Sequence, residues 1–166
     1  MMDDRNALFS DQTFARAIEF IWREAELLDQ RDYHAWLELW DPKGLYVVPI
    51  DPNTTDYAAT LNYAFDDQHM RELRVQRMTS GYSASASDAA RTVRTVSRFT
   101  RSSDSANLVE VKSSQIIIAY KRGLSTIFAA DLTHKISMAG GEPRLVEKVI
   151  RLINSTEALN AVGFLL

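Results

Sequence analysis

At 166 residues, the chain is long enough for one domain that buries roughly 70% of its unfolded surface, and it requires no second one. A hydrophobic share of 46% and a charged share of 25% exclude a disordered or fibrous chain. The absence of cysteine excludes disulfides, thiolate nucleophiles and sulfur-ligated metal centres, and it fits a reducing compartment. A formal charge of −3 argues against nucleic acid as the main partner. No apolar run approaches the roughly 20 residues that span a bilayer, and the polar start Met1–Asn6 is no signal peptide. The expectation is a cytoplasmic protein with a single domain over residues 1–166 and a flexible N-terminus at 1–10.

Two helices come first. Phe14, Ala17, Ile18, Ile21, Trp22, Ala25 and Leu28 recur at three-and-four spacing, with Arg16, Glu19, Arg23 and Glu26 opposite, which predicts one amphipathic helix. Gln30-Arg-Asp32 interrupts it. Asp32 is placed to cap a second, short helix whose apolar stripe is Tyr33, Trp36, Leu37 and Trp40, ended by Pro42 and Gly44. Leu45–Pro49 then reads as a strand, 50–56 as a loop, and Ala59–Phe65 as a strand with Leu61, Tyr63 and Phe65 alternating.

Asp66-Asp67 offers a cap for a third helix to about Arg77, with Met70 and Leu73 on its inner side flanked by Arg74 and Arg77. Residues 66–101 carry seven arginines, no lysine and four acids, a composition suited to fixed bidentate carboxylate pairs. Beyond the small-residue loop 81–88 the rest reads as strand. Arg91–Arg101 alternates, with Val93, Thr95, Ser97 and Phe99 on one face and Arg94, Val96 and Arg98 on the other. Leu108–Tyr120, Leu124–Ser137 and Arg144–Ile153 follow through short turns, as in an antiparallel meander. Helices before a long sheet make an α+β order. Three helices cannot cover both faces of such a sheet, so a cone-like, strongly curved antiparallel or mixed sheet is expected.

Chemistry-bearing patterns are sparse. His34, His69 and His134 have no metal-ligand spacing, and no nucleophile motif or phosphate-cradling loop occurs. One constellation supports an enzyme or binding-protein alternative: Asp29, Tyr33, His34 and Trp36 at the helix corner, with Asp29 as a general base of raised pKa. The plainer reading, preferred here, is that Asp29 forms a structural ion pair with Arg74 or Arg77.

The conjunction Phe20-Ile-Trp-Arg-Glu-Ala-Glu-Leu-Leu-Asp29, Tyr33, Trp36-Leu37, Pro49, Asp66-Asp67, Leu73-Arg74-Val75, Arg77, Arg91, Arg94, Val96-Ser97, Asn160 and Phe164-Leu165-Leu166 resembles the β (small) subunit of aromatic-ring-hydroxylating dioxygenases. The order and spacing hold over nearly the whole chain. They depart from the family at 82–90, where small residues replace the usual Trp, acid and prolines. The resemblance implies the cone fold of nuclear transport factor 2-like (NTF2-like) proteins, ketosteroid isomerases and scytalone dehydratases. It also implies a non-catalytic, structural subunit in aromatic catabolism. The Rieske 2Fe-2S cluster and mononuclear iron then lie in a partner α subunit, and this chain holds no cofactor, metal or catalytic residue. An α3β3 assembly follows, in which this chain is a homotrimer without nucleic-acid or membrane partners. Its apolar contact surface is expected from Val96, strand 115–120 and the tail 162–166, in particular Phe164, Leu165 and Leu166. Arg94 and Arg98 are the candidates for carboxylate pairs across those contacts.

Overall fold

The computed structural model describes residues 10–80, 89–105, 107–157 and 163–166. The loop 82–90 therefore falls almost wholly outside the described residues, as does nearly all of the start expected to be flexible.

Helix α1 spans Gln12–Gln30 and is capped by Asp11, whose carboxylate accepts from the Phe14 amide. Its predicted stripe is buried apart from Trp22, which is 53% exposed. Arg31 ends the helix in the left-handed region, φ 59°. Asp32 then caps α2, Tyr33–Glu38, through the Ala35 amide. Strand β1 runs Trp40–Pro49, five residues earlier than expected, because Trp40 already pairs with Leu145 across a bulge. Strand β2 is Asn62–Asp66 and α3 is Gln68–Thr79, capped by Asp67. The meander is β3 Arg91–Ser105, β4 Leu108–Lys121, β5 Leu124–Ser137 and β6 Arg144–Leu152.

These form one mixed six-stranded sheet, ordered β2-β1-β6-β5-β4-β3. Only β1 and β6 are parallel. The order is linear, so the sheet is open, with edges at β2 and β3. The β4–β5 hairpin turns on Arg122 and Gly123, φ 51° and 80°, the positive pair that a two-residue turn needs to match strand twist.

Helices cover one face of this sheet. From it Val109, Val111, Ile117, Leu132, Ile136, Ile150 and Leu152 meet the stripe of α1, and Trp36, Trp40 and Tyr46 form an edge-on aromatic cluster with centroids 5.4–6.3 Å apart. The β3 edge is closed by side chains of α1. Trp22 Nε1 donates to the Val96 carbonyl at 3.2 Å, and Asp29 Oδ2 accepts from the Arg94 amide at 2.8 Å. Such backbone groups are what an edge strand otherwise offers to another chain.

Two expected face assignments change. Arg98 has φ 56° and the register with β4 slips between Ser97 and Thr100, a bulge that breaks the period-two alternation. Phe99 consequently turns inward onto Trp22, with centroids 5.6 Å apart, whereas Val93 stays exposed on the outer face. On α3 the buried residues are Arg71 and Val75, not Met70, and Arg77 is exposed.

Candidate functional site

The covered face of the sheet encloses charge. Glu24 lies between Ile21 and Leu28 on the buried stripe of α1. Its Oε1 accepts from Trp36 Nε1 at 3.0 Å and from Lys148 Nζ at 2.8 Å, and its Oε2 is 3.2 Å from His134 Nε2. All three titratable groups are buried. Burial works to raise the Glu24 carboxyl, but the Lys148 charge and the His134 hydrogen bond outweigh it and hold the group well below the usual carboxylate range. Burial pulls His134 and Lys148 down, against the attraction of Glu24. A neutral His134 facing an ionised carboxylate must carry its proton on Nε2, so this contact is a hydrogen bond and not an ion pair. Lys148 Nζ also donates to the main-chain oxygen of Leu166 at 3.0 Å, and the Leu166 amide donates to Tyr46 Oη at 3.0 Å. Burial raises the Tyr46 phenol above its ordinary range.

A second cluster adjoins the first. Asp29 Oδ1 accepts from Thr92 Oγ1 at 2.8 Å and from the Arg94 guanidinium, which also donates to the Leu165 carbonyl. Asp29 is therefore paired, but with Arg94 of β3 and not with Arg74 or Arg77 as expected. Arg74 instead forks onto Asp66 at 2.6 and 2.9 Å. Arg77 Nε reaches only the Leu73 carbonyl. The reason is geometric: α3 packs over β1 and β2, whereas Asp29 ends α1 above β3. Arg71, unflagged by the sequence, lies 4.2 Å over the Trp40 ring and donates to the Gly44 and Asp66 carbonyls. The acidic pair thus divides its work, Asp67 capping α3 and Asp66 holding Arg74.

The alternative pocket does not assemble. Asp29 is engaged by β3, Tyr33 and Trp36 are buried, and His34 is exposed. The concavity near Asp29 is an open groove of about 620 Å³ along α1 and β3, lined among others by Glu19, Trp22, Glu26 and Arg94. Among the described residues no group of three His, Asp or Glu side chains is arranged to hold a metal.

Arg94 is also withdrawn from the expected contact surface, since its side chain is 1% exposed. Val96, Leu165 and Leu166 are buried within the chain as well. Arg98 remains on the surface beside Asp131, at 2.7 Å.

What the outer face presents instead is apolar. Val93, Ile118 and Ile127 stand opposite one another across β3, β4 and β5, and Ile116 and Tyr120 of β4 are exposed on the same face. At the other sheet edge Leu61, Tyr63 and Phe65 are exposed. The alternation in β2 was legible, but it points outward, because Ala64 and Asp66 occupy the inner positions. Contiguous exposed apolar surface of this kind marks contact sites. Glu24, His134 and Lys148 had a signal as well: each holds an apolar-face position, His134 between Leu132 and Ile136 and Lys148 two residues before Ile150.

A sequence profile described as "Ring hydroxylating beta subunit" matches residues 23–157. The small oxygenase component of the p-cumate 2,3-dioxygenase system of Pseudomonas putida is 28% identical, over 93% of this chain and 89% of its own. The β subunit of the benzoate 1,2-dioxygenase from Burkholderia mallei superposes with a TM-score of 0.75 at 20% identity, covering 93% of this chain and 97% of that one. An NTF2-like protein with a cystatin-like fold from Novosphingobium aromaticivorans does so at 0.61 and 17% identity, covering 93% of each.

Proposed function

The chain belongs to the family of ring-hydroxylating β subunits, and on that premise we propose that it is the structural, non-catalytic subunit of an aromatic-ring-hydroxylating dioxygenase, a homotrimer that caps three α subunits. The Rieske cluster and the mononuclear iron belong to α. The observation that carries this reading is the contrast between the two faces of the sheet. The interior charges, Glu24 with Lys148 and Asp29 with Arg94, are taken up by partners within the chain. The outer face carries Val93, Ile116, Ile118 and Ile127, all about half exposed or more, and apolar surface of that extent supports an assembly function.

A ring of three copies requires two different patches on each copy, one meeting the other on its neighbour. The β3–β5 patch and the β2 surface of Leu61, Tyr63 and Phe65 are two such patches. Arg98 and Asp131, at the polar end of the outer face, are the charged groups placed to border a contact.

The test is co-expression with a Rieske α subunit. The expected result is a complex whose iron scales with α, while the chain purified alone is a trimer by light scattering and carries only trace iron. Stoichiometric iron in the isolated chain, or a clean monomer at micromolar concentration, would overturn the assignment.

A further inference from the structure

Four strands converge on residues 164–166. The buried Arg94 guanidinium of β3 donates to the Leu165 carbonyl, and the buried Lys148 ammonium of β6 donates to the Leu166 oxygen at 3.0 Å. Tyr46 of β1 accepts from the Leu166 amide at 3.0 Å. Phe164 stands edge-on to Phe128 of β5, with centroids 5.4 Å apart. Leu165 and Leu166 are buried. These main-chain groups are satisfied entirely by side chains, outside any ladder, which is how a binding site holds an extended peptide. The site also keeps spare capacity: Arg94 Nε and His134 Nδ1 are buried with no hydrogen-bond partner. Burying such groups is costly unless each finds a hydrogen-bond partner.

We propose that the interior beneath α1 is a binding site for a short apolar peptide, formed by Tyr46, Arg94, Phe128 and Lys148, and that residues 164–166 of this same chain are its ligand. The segment is a plug. Its carbonyl oxygens supply the acceptors that Arg94 and Lys148 need beyond Asp29 and Glu24, and its side chains fill the space that a small molecule would otherwise enter. This goes beyond the subunit assignment and holds whether or not an α partner is present.

The experiment uses the full chain and follows acylation of Lys148 by an amine-reactive reagent with mass spectrometry. In the wild type Lys148 is protected while exposed lysines react. In Phe164→Ala, which removes the ring contacts with Phe128 and with the Arg94 guanidinium but leaves the hydrogen bonds of Arg94 and Lys148 to the main chain in place, Lys148 acylation is expected to rise about tenfold through local opening, with the other lysines unchanged. Added acetyl-Phe-Leu-Leu peptide should restore protection, and acetyl-Asp-Asp-Asp should not. Equal protection of Lys148 in both proteins would overturn the proposal, because the tail would not be what closes the site. Exposure that the apolar peptide fails to reverse, or that spreads to all lysines, would overturn it too, because the tail would then be part of the core and not a ligand.

Discussion

The two faces of the sheet depart from the usual distribution of polarity in opposite ways, with charges set into the apolar inner face and apolar side chains standing on the uncovered outer one. Under α1 the strands present Arg94, His134 and Lys148, while on the uncovered side the neighbouring positions present Val93, Ile118 and Ile127. Alternate residues of the same strands therefore solve different problems. An inner charge is tolerable only when a partner is built beside it, and Glu24, Asp29 and the carbonyls of Leu165 and Leu166 are those partners. An outer apolar residue has no partner within the chain and gains one only by association. The lesson is that the inner face is a self-contained structural unit and the outer face is unfinished.

That contrast is broken most severely at Glu24. Glu24→Ala leaves Lys148 buried without its counter-charge, and urea unfolding should show a loss of about 3–5 kcal/mol. Replacing both partners, as Glu24→Leu with Lys148→Met, should recover most of that loss, since a well-packed apolar pair is often no worse than a buried ion pair. A loss below about 1 kcal/mol in the single variant would mean that the inner charges are not coupled. Asp29→Ala should cost less, about 2–3 kcal/mol, because Asp29 is partly exposed although Arg94 is not.

Acid should act on the inner face through His134 and Glu24. His134 is held neutral in the fold, with its pKa below the ordinary value, so the unfolded chain takes up a proton that the folded one refuses. Stability should accordingly fall as pH drops through the ordinary histidine range, below about 6.5. Glu24, whose pKa is depressed, contributes stability that is present above about pH 4.5 and is lost further into acid. In His134→Gln the first part of this decline should vanish while the second remains. Urea midpoints between pH 7.5 and 5.5 that match those of the wild type would show that His134 titrates in the fold as it does in the unfolded chain.

The smallest effect on stability is expected on the outer face. Ile118→Glu should change the unfolding free energy of the dissociated chain by no more than about 0.5 kcal/mol. Its effect should appear instead in light scattering, as a loss of assembled mass. A variant that unfolds but still associates would place Ile118 in the core of the chain and the contact surface elsewhere.

Much of the local structure was legible because short-range physics fixes it. The stripe from Phe14 to Leu28, the Asp32 and Asp67 caps and the turn at Gly123 each depend on neighbours within a few residues, and each stands where it was expected. So did the strand order of the meander, since short turns force adjacent strands to pair. The family resemblance, carried by motifs spread along the chain, pointed to the family that the profile match gives.

What failed did so where one residue's place depended on a distant element. Alternation along β3 put Phe99 with Val93, and one residue in the left-handed region, Arg98, separated them. Asp29 needed a cation, as its setting demanded, but the sequence offered several arginines and only the crossing of α1 over β3 selected Arg94. Glu24, His134 and Lys148 sat visibly on apolar faces without any sign that they faced each other, because they lie 110 and 124 residues apart in the chain. Sequence by itself determined the elements, the buried stripe of α1 and the necessity that buried charges be paired. The tertiary structure alone decided which charges meet and which apolar face is left open, because both depend on how the helices lie across the sheet and not on any local periodicity.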